Sequence, residues 1–445
     1  MAAYFWVGGT GSFNTSSNST NFALTSGGSP VAAVVFASGD DITFDANSGS
    51  SFTVTINATA PTIRHLTASG TVGMTLAGTT AFTVQGDITI PSSGFTWSAT
   101  GTLTISGSAN KTLNFGGVTI NCSVTVNAAS STITLGSNLV MIVNKTLFFT
   151  NGTLLDFAGY NVTVGTLAST GSTTRALTLG TGTITCLDAG ASCTFAGATN
   201  LTLSAASSTI LMSSASAKTF GGNGYTYGTV KSAGAGAMTI SGSNTFGELG
   251  NTVQPTTIRI TAGTTQTVTT LSLSGTAGNL VSIDTQTAGS AATISKASGT
   301  VNASYLSIKD STVTGGATFN ATASTDVSGN TGWNFLNAYT LAAATGSFTL
   351  SGQAAGLLAA RIVPVDVGSF SLTGQSVTLT YTPTPSYSLS AEAGSFTMSG
   401  QTVSLPISRK VTADAGSFAL TGKAVTLTYS GAASSRRRLI VVMMA

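Results

Sequence analysis

Thirteen carboxylates and one histidine make up the acid–base inventory of this 445-residue chain. Cleaving a glycosidic bond takes two carboxyl groups facing one another, one as acid and one as base or nucleophile. Only Glu248 and Glu392 are glutamates; several of the eleven aspartates lie in Gly- or Asn-rich stretches, where Asp commonly serves the backbone of a turn. Asp156 and Asp188 are the pair that neighbouring structural repeats could bring together, with duty at turns or corners as the expected alternative. The sole histidine, in Ile63-Arg64-His65-Leu66, takes an outward strand position, from which a catalytic dyad has little support. No Gly-x-Ser-x-Gly lies between a strand and a helix, so Ser-His-Asp catalysis is not expected.

Asp40, Asp41 and Asp45 form the one local acid cluster. Hard oxygen ligands of this kind take calcium, but their spacing does not match a calcium loop. Because Ile42 and Phe44 alternate inward, the acids are expected at a strand edge or turn, where charge discourages edge-to-edge pairing. A phosphate loop, a dinucleotide fingerprint and paired Cys-x-x-Cys motifs are absent, so the expectation is no catalytic residue, no metal and no cofactor. Cys122, Cys186 and Cys193 are too few and odd in number for a disulfide framework. Cys186 and Cys193 are close enough in sequence to pair, but buried free thiols are the expectation. Tyr225 with Tyr227 and Phe95 with Trp97 each project to one side of a strand. They are either core packing or, where exposed, rings on which a host glycan would stack.

These residues sit on a scaffold that composition describes well. Charged residues make up 7% of the chain, against about 25% in ordinary domains, while Ser, Thr, Asn and 53 Gly carry the polar work. Disorder needs low hydrophobicity with high net charge, and both are reversed here. The mean hydropathy of +0.35 is spread thinly, with no run near the roughly 20 apolar residues of a membrane helix. A net charge of +3 leaves no broad footprint for nucleic acid. The start, Met1-Ala2-Ala3-Tyr4-Phe5-Trp6, lacks the basic and long apolar regions of a secretory signal, which points to production in a cytoplasm.

From about Ile42 to Ile308 one pattern recurs: an apolar-polar-apolar triplet among Thr and Ser, closed by Gly, Asn or Ser. Period-two alternation marks a strand with one buried face. Val54 with Ile56, Leu103 with Ile105, Val162 with Val164 and Ile258 with Ile260 are examples. The region holds about twice the seven to nine strands of a sandwich and no crossover helix. A right-handed parallel β-helix accommodates them, with inward residues in apolar ladders and Gly or Asn at the corners. The fold class is therefore all-β: an N-terminal capping segment at 1–40, the solenoid at 41–337, a small β-repeat region at 338–432 and a basic-apolar tail at 433–445.

The repeat region reads Gly346-Ser347-Phe348-Thr349-Leu350-Ser351-Gly352-Gln353 and returns from Gly368, Gly394 and Gly416, with starts 22, 26 and 22 residues apart. Phe and the Leu or Met two places on share one face. A Gly-containing turn is expected to follow, with Val and Leu bringing the strand back in the last three units.

Three segments carry resemblances. Tyr4-Phe5-Trp6-Val7-Gly8-Gly9-Thr10-Gly11-Ser12-Phe13, with Asn21-Phe22 and Gly39-Asp40-Asp41-Ile42-Thr43-Phe44-Asp45, resembles the opening of bacterial and phage β-helix proteins. That class usually carries Trp where this chain has Phe13 and Phe22. Ser304-Tyr305-Leu306-Ser307-Ile308-Lys309-Asp310, ending in Gly329-Asn330-Thr331-Gly332-Trp333-Asn334-Phe335, is similar to its last coil. There Trp333 and Phe335 are large enough to cover the apolar end of a solenoid. The tandem motif resembles repeats at the ends of virion proteins of tailed phages and prophages.

The resemblance implies a non-enzymatic virion structural protein, most simply a fibre or spike appendage for host attachment. A capsid decoration protein or head fibre and a bacterial surface adhesin are the alternatives, and a depolymerising tailspike is disfavoured by the scarcity of carboxylates. Implied partners are other virion proteins of capsid or tail, further copies of the chain (a trimer among the options) and a host surface glycan. Attachment or self-association is expected at Phe348, Phe370, Phe396 and Phe418 and in the tail. There Arg436, Arg437 and Arg438 would hold a phosphate or acidic partner, with a solvated tail as the alternative.

Overall fold

A computed structural model describes residues 2–13, 21–31, 34, 36–57, 61–70, 73–195 and 200–336 in full. Beyond them it describes the backbone of strands at 347–359, 369–381, 389–391, 395–407, 411–413, 417–421 and 424–429. Contacts divide the chain into two compact units, Met1–Leu336 and Asn337–Ala445.

The first unit is a parallel β-solenoid of about thirteen turns, without an α-helix among the described residues. Each turn crosses three faces, on separate short strands or on a longer one that runs across two faces, such as Val124–Leu135, and within the stack strands pair in parallel with their equivalents one turn before and one turn after. On one face the register runs Phe82, Leu103, Val124, Leu147, Leu167, Cys193, Phe220, Ile240, Ile260. All nine are buried. On another, Val162, Ile184, Ile210, Val230, Leu249 and Leu271 stack in the same way. Successive side chains of a strand point to opposite sides, so the residues between these rungs line the outside. Thr62, Thr83, Thr104 and Thr125 form one such outer row.

β-branched residues suit both sides, since their stiff Cβ packs well on a pleated surface. The apolar-polar-apolar triplets of the sequence are the individual strands. Every example named above has both apolar members in the core.

At the N-terminal end, Ala3–Trp6 pairs in parallel with Asp41–Phe44, and Gly11–Phe13 with Phe52–Ile56, so the opening segment supplies a partial coil. Trp6, Phe13, Phe22, Phe36 and Phe44 pack ring on ring over it, with centroids 4.8–5.8 Å apart. At the far end Trp333 meets Phe319 edge-on at 5.5 Å and donates its indole N–H to Ser311 Oγ.

One sequence expectation fails here. Asp41–Phe44 is flanked by Ala3–Trp6 on one side and Leu66–Ala68 on the other, so Asp40, Asp41 and Asp45 guard no free edge. Strands that precede residue 41 already occupy the position the acids were expected to protect.

In the second unit the expected return turn is likewise missing. Ser347–Ala359, Ser369–Tyr381 and Ser395–Ile407 run as thirteen-residue strands through Gly352, Gly374 and Gly400. Each pairs in parallel with the same residues of the next repeat: Phe348 with Phe370, Phe370 with Phe396, Phe396 with Phe418. A lone two-stranded hairpin is marginal in water, whereas lateral stacking gives an inner strand partners on both edges. Leu389–Ala391 and Val411–Ala413 form a second parallel stack between the repeats.

The solenoid predicts a sharp contrast between neighbours. Leu103 is fully buried and Thr104 faces out. Leu103→Asp strands an unpaired charge in the ladder and is expected to cost several kcal/mol. Thr104→Asp is expected to leave the β-type circular dichroism spectrum and the melting temperature almost unchanged. Equal losses for the two variants would contradict the inward–outward assignment.

Candidate functional site

Among the described residues the carboxylates are committed to the framework. Asp156 Oδ1 accepts the backbone N–H of Ala158 two residues on, at 2.8 Å. Asp188 sits at a corner one turn further along the coil, where its own N–H donates to Gly165 O. Its Oδ2 accepts the Thr166 hydroxyl at 3.0 Å, and its Oδ1 accepts the Asn144 N–H at 2.6 Å. One side chain thus ties three consecutive coils together. Asp156 and Asp188 do lie on neighbouring turns, but Asp156 ends a strand on one face and Asp188 lies in a corner after a strand on another. The corner duty explains both.

The acid cluster at the N-terminal end is divided in the same way. Asp40 is buried and accepts the N–H groups of Ala2 and Ala37. Asp41 is held by a two-pronged bond from Arg64 on the next coil, with Nε at 2.7 Å, and this guanidinium keeps its carboxyl below the usual range. Asp45 accepts the N–H of Asn47. Among the described residues no group of three potential ligands is placed to hold a metal ion.

His65 Nδ1 accepts the Asp87 N–H at 2.8 Å, and the Asp87 carboxylate lies 3.3 Å from the same nitrogen. Nδ1, the nitrogen nearest the Asp87 carboxylate, is therefore occupied by a backbone donor. Glu248 pairs with Lys231 at 2.9 Å and accepts the Ser272 hydroxyl, and Asp284 pairs with Arg259. Glu392 lies outside the described residues.

Three of the four paired aromatics turn inward, which removes those three as a sugar platform. Phe95 and Trp97 are buried, and the Trp97 ring stacks on Phe82 at 5.7 Å. Tyr227 is buried against Phe220 and Phe246 and gives its hydroxyl to Gly222 O at 2.6 Å. Tyr225 is half-buried on the core and donates to Leu201 O. The large aromatic side chains exposed among the described residues are Phe148 and Tyr160. Cys122, Cys186 and Cys193 are buried free thiols, and burial pushes the Cys122 thiol up to about 11.

A set of residues escaped the sequence reading: three cations buried inside the coil. Lys111 Nζ donates to Gly107 O and Ala109 O, and Arg175 to Gly171 O, Thr173 O and Ser169 Oγ. Lys218 donates to the carbonyls of Ser214, Gly234 and Gly236 at 2.5–3.0 Å. Each occupies the inward parity, two residues before a buried Leu113, Leu177 or Phe220. That parity, and the shared run Lys-Thr leading into Phe-Gly-Gly at Lys111–Gly117 and Lys218–Gly222, was the available signal. The cations satisfy corner carbonyls that turn toward the core, which a buried backbone requires.

Comparison with protein-family models, with curated proteins and with solved structures finds no match to this chain.

Lys218 gives a test with a defined sign. Burial pushes its ammonium down to about 8, against about 10.4 for a free lysine. Between those values the unfolded chain binds more protons than the folded one, so stability rises with pH there, and below about 8 the full cost of burying the charge is present. Lys218→Met is expected to abolish that rise. At neutral pH it should still lose about 1–3 kcal/mol, because three carbonyls lose their donor. Denaturant melts of both proteins from pH 7 to pH 11 check this.

Proposed function

We propose that this protein is a non-enzymatic structural component of a tailed-phage virion, serving as a fibre or spike appendage. The observation that carries the reading is how the solenoid uses its polar chemistry: the described carboxylates with resolved partners hold corners, backbone N–H groups or neighbouring cations. Such a framework suits a rigid spacer that displays surface rather than a groove that turns over substrate. The resemblance of both solenoid ends to β-helix proteins, and of the tandem motif to repeats in virion proteins, supports the same reading.

The second unit is assigned to particle attachment or self-association. Its parallel register places Phe348, Phe370, Phe396 and Phe418 in one row across four repeats. Short repeats gain stability by packing on neighbours, and a virion partner or further copies of the chain would extend that packing. Arg436, Arg437 and Arg438 lie outside the described residues.

Deleting residues from Gly346 onward is expected to abolish incorporation of the solenoid into purified particles, or to change its oligomeric state, as read by electron microscopy and by ultracentrifugation. Unchanged incorporation and assembly would remove the attachment role. The non-enzymatic assignment expects no release of reducing ends from bacterial polysaccharides. Release that vanishes in Asp156→Asn or Asp188→Asn would overturn it.

A further inference from the structure

The corner between Cys186 and Cys193 is longer than the one it stacks on. One coil earlier the same two rungs are Val164 and Leu167, with only Gly165 and Thr166 between them. The cysteines are separated by the six residues from Leu187 to Ser192, and the added length runs outside, with Ala189, Gly190 and Ala191 exposed. The rungs themselves keep register, Cys186 on Val164 and Cys193 on Leu167. Both thiols therefore converge on the inside of one corner.

Their surroundings are apolar. Met212 and Phe220 cover them from the next coil, and the two cysteines and these four neighbours are all fully buried. The thiols hydrogen-bond one another, and this contact together with burial raises the Cys193 thiol well above its usual value. Cys122 lies on the same face three coils before Cys186, far beyond the reach of a sulfur–sulfur bond.

Two thiols already in contact need little movement to join, so what governs their chemistry is access. The thiolate is the reactive form, and a dry apolar corner disfavours it until water and an oxidant enter. The cover over this corner is the segment from Leu187 to Ser192. Its first half is fastened by Asp188, whose carboxylate accepts the Asn144 N–H and the Thr166 hydroxyl and whose N–H donates to Gly165 O. Further on, the Gly190 N–H donates to Ala217 O. The residue that ties three coils together is thus also the one that closes the way to the sulfurs.

We infer that Cys186 and Cys193 are a redox-active dithiol that closes to a disulfide within the chain when an oxidant of the peroxide class reaches the corner, with Asp188 as the latch that limits its access. One thiolate attacks a peroxide oxygen, the O–O bond breaks, and a sulfenic acid and water result. The second thiol then displaces the hydroxyl from that sulfur, forming the S–S bond and a second water. Two thiols and one peroxide give one disulfide and two waters, with two electrons passing from sulfur to oxygen. The new bond closes the Leu187 to Ser192 segment covalently and leaves Cys122 free. The inference does not depend on the virion reading, since it concerns only one corner of the solenoid.

Treatment of the full chain with hydrogen peroxide tests it. The thiols that titrate after unfolding in denaturant are expected to fall from three to one. Peptide mapping should show Cys186 joined to Cys193 within one chain and Cys122 free, and dithiothreitol should restore all three thiols. Persistence of three thiols, oxidation to sulfinic acid without the disulfide, or a disulfide that links two chains overturns the pairing. Asp188→Ala is expected to speed formation of the disulfide by at least ~10-fold, as for groups exposed by an easier local opening. Thr166→Val, which removes only one bond to Asp188, should give a smaller increase, and circular dichroism checks that both variants keep the β-type spectrum of the parent. Equal rates in the parent and in both variants overturn the latch.

Discussion

Everything in the solenoid depends on one constraint: a residue and its equivalent one turn later share a side of the sheet, so inward rungs stack mostly apolar residue on apolar residue. Parallel strands spaced about 4.8 Å apart stack side chains directly over one another. A rung such as Leu103 therefore has Phe82 on one side and Val124 on the other. A single polar residue on an inward rung disturbs three coils, and a single apolar one outside exposes a row. The sequence obeys this with little more than Thr, Ser, Val, Ile and Leu, and so the chain needs few charges.

Corners are where the rule relaxes, and there the polar groups become individual. Backbone that leaves the ladder must find other partners, and this chain finds them in three ways. Carboxylates such as Asp188 and Asp40 accept stray N–H groups, buried cations such as Lys218 donate to stray carbonyls, and Gly takes positions that no Cβ could enter. Gly78 is one of these: its φ is +115° and a Cβ would sit 2.1 Å from Ile56 O. The outer ion pairs Arg64–Asp41, Lys231–Glu248 and Arg259–Asp284 obey the ladder again, each joining residues one turn apart.

Fold class was legible because period two survives in isolated triplets: Val54 with Ile56 or Leu103 with Ile105 marks a strand without any knowledge of its neighbours. Coil boundaries were not, because corner lengths vary. Tyr227 is aligned with Phe246, 19 residues on, whereas Gln266 is aligned with Ile294, 28 residues on. No fixed period threads both. The buried cations hid for a different reason: hydropathy assigns Lys111, Arg175 and Lys218 to the surface, and only their parity with the following Leu or Phe shows them inside. The paired aromatics were misleading in the opposite sense, since Tyr227 and Trp97 share their parity with the core rungs. In the second unit the repeat itself was plain, but Gly at its centre read as a turn when the strand passes through it.

Asp188 gives the stack an unusual range of coupling. In a linear array whose units touch only their neighbours, stability is a sum of unit terms and nearest-neighbour terms, and a boundary between folded and unfolded segments can rest at any interface. A carboxylate bonded to Asn144 two turns away adds a second-neighbour term. A folding boundary within that stretch must break this bond as well as one interface, so it is driven off toward either side. The added cost is that of one hydrogen bond, ~1 kcal/mol, enough to make the three turns around Asp188 a less favoured resting place for such a boundary than the interfaces on either side.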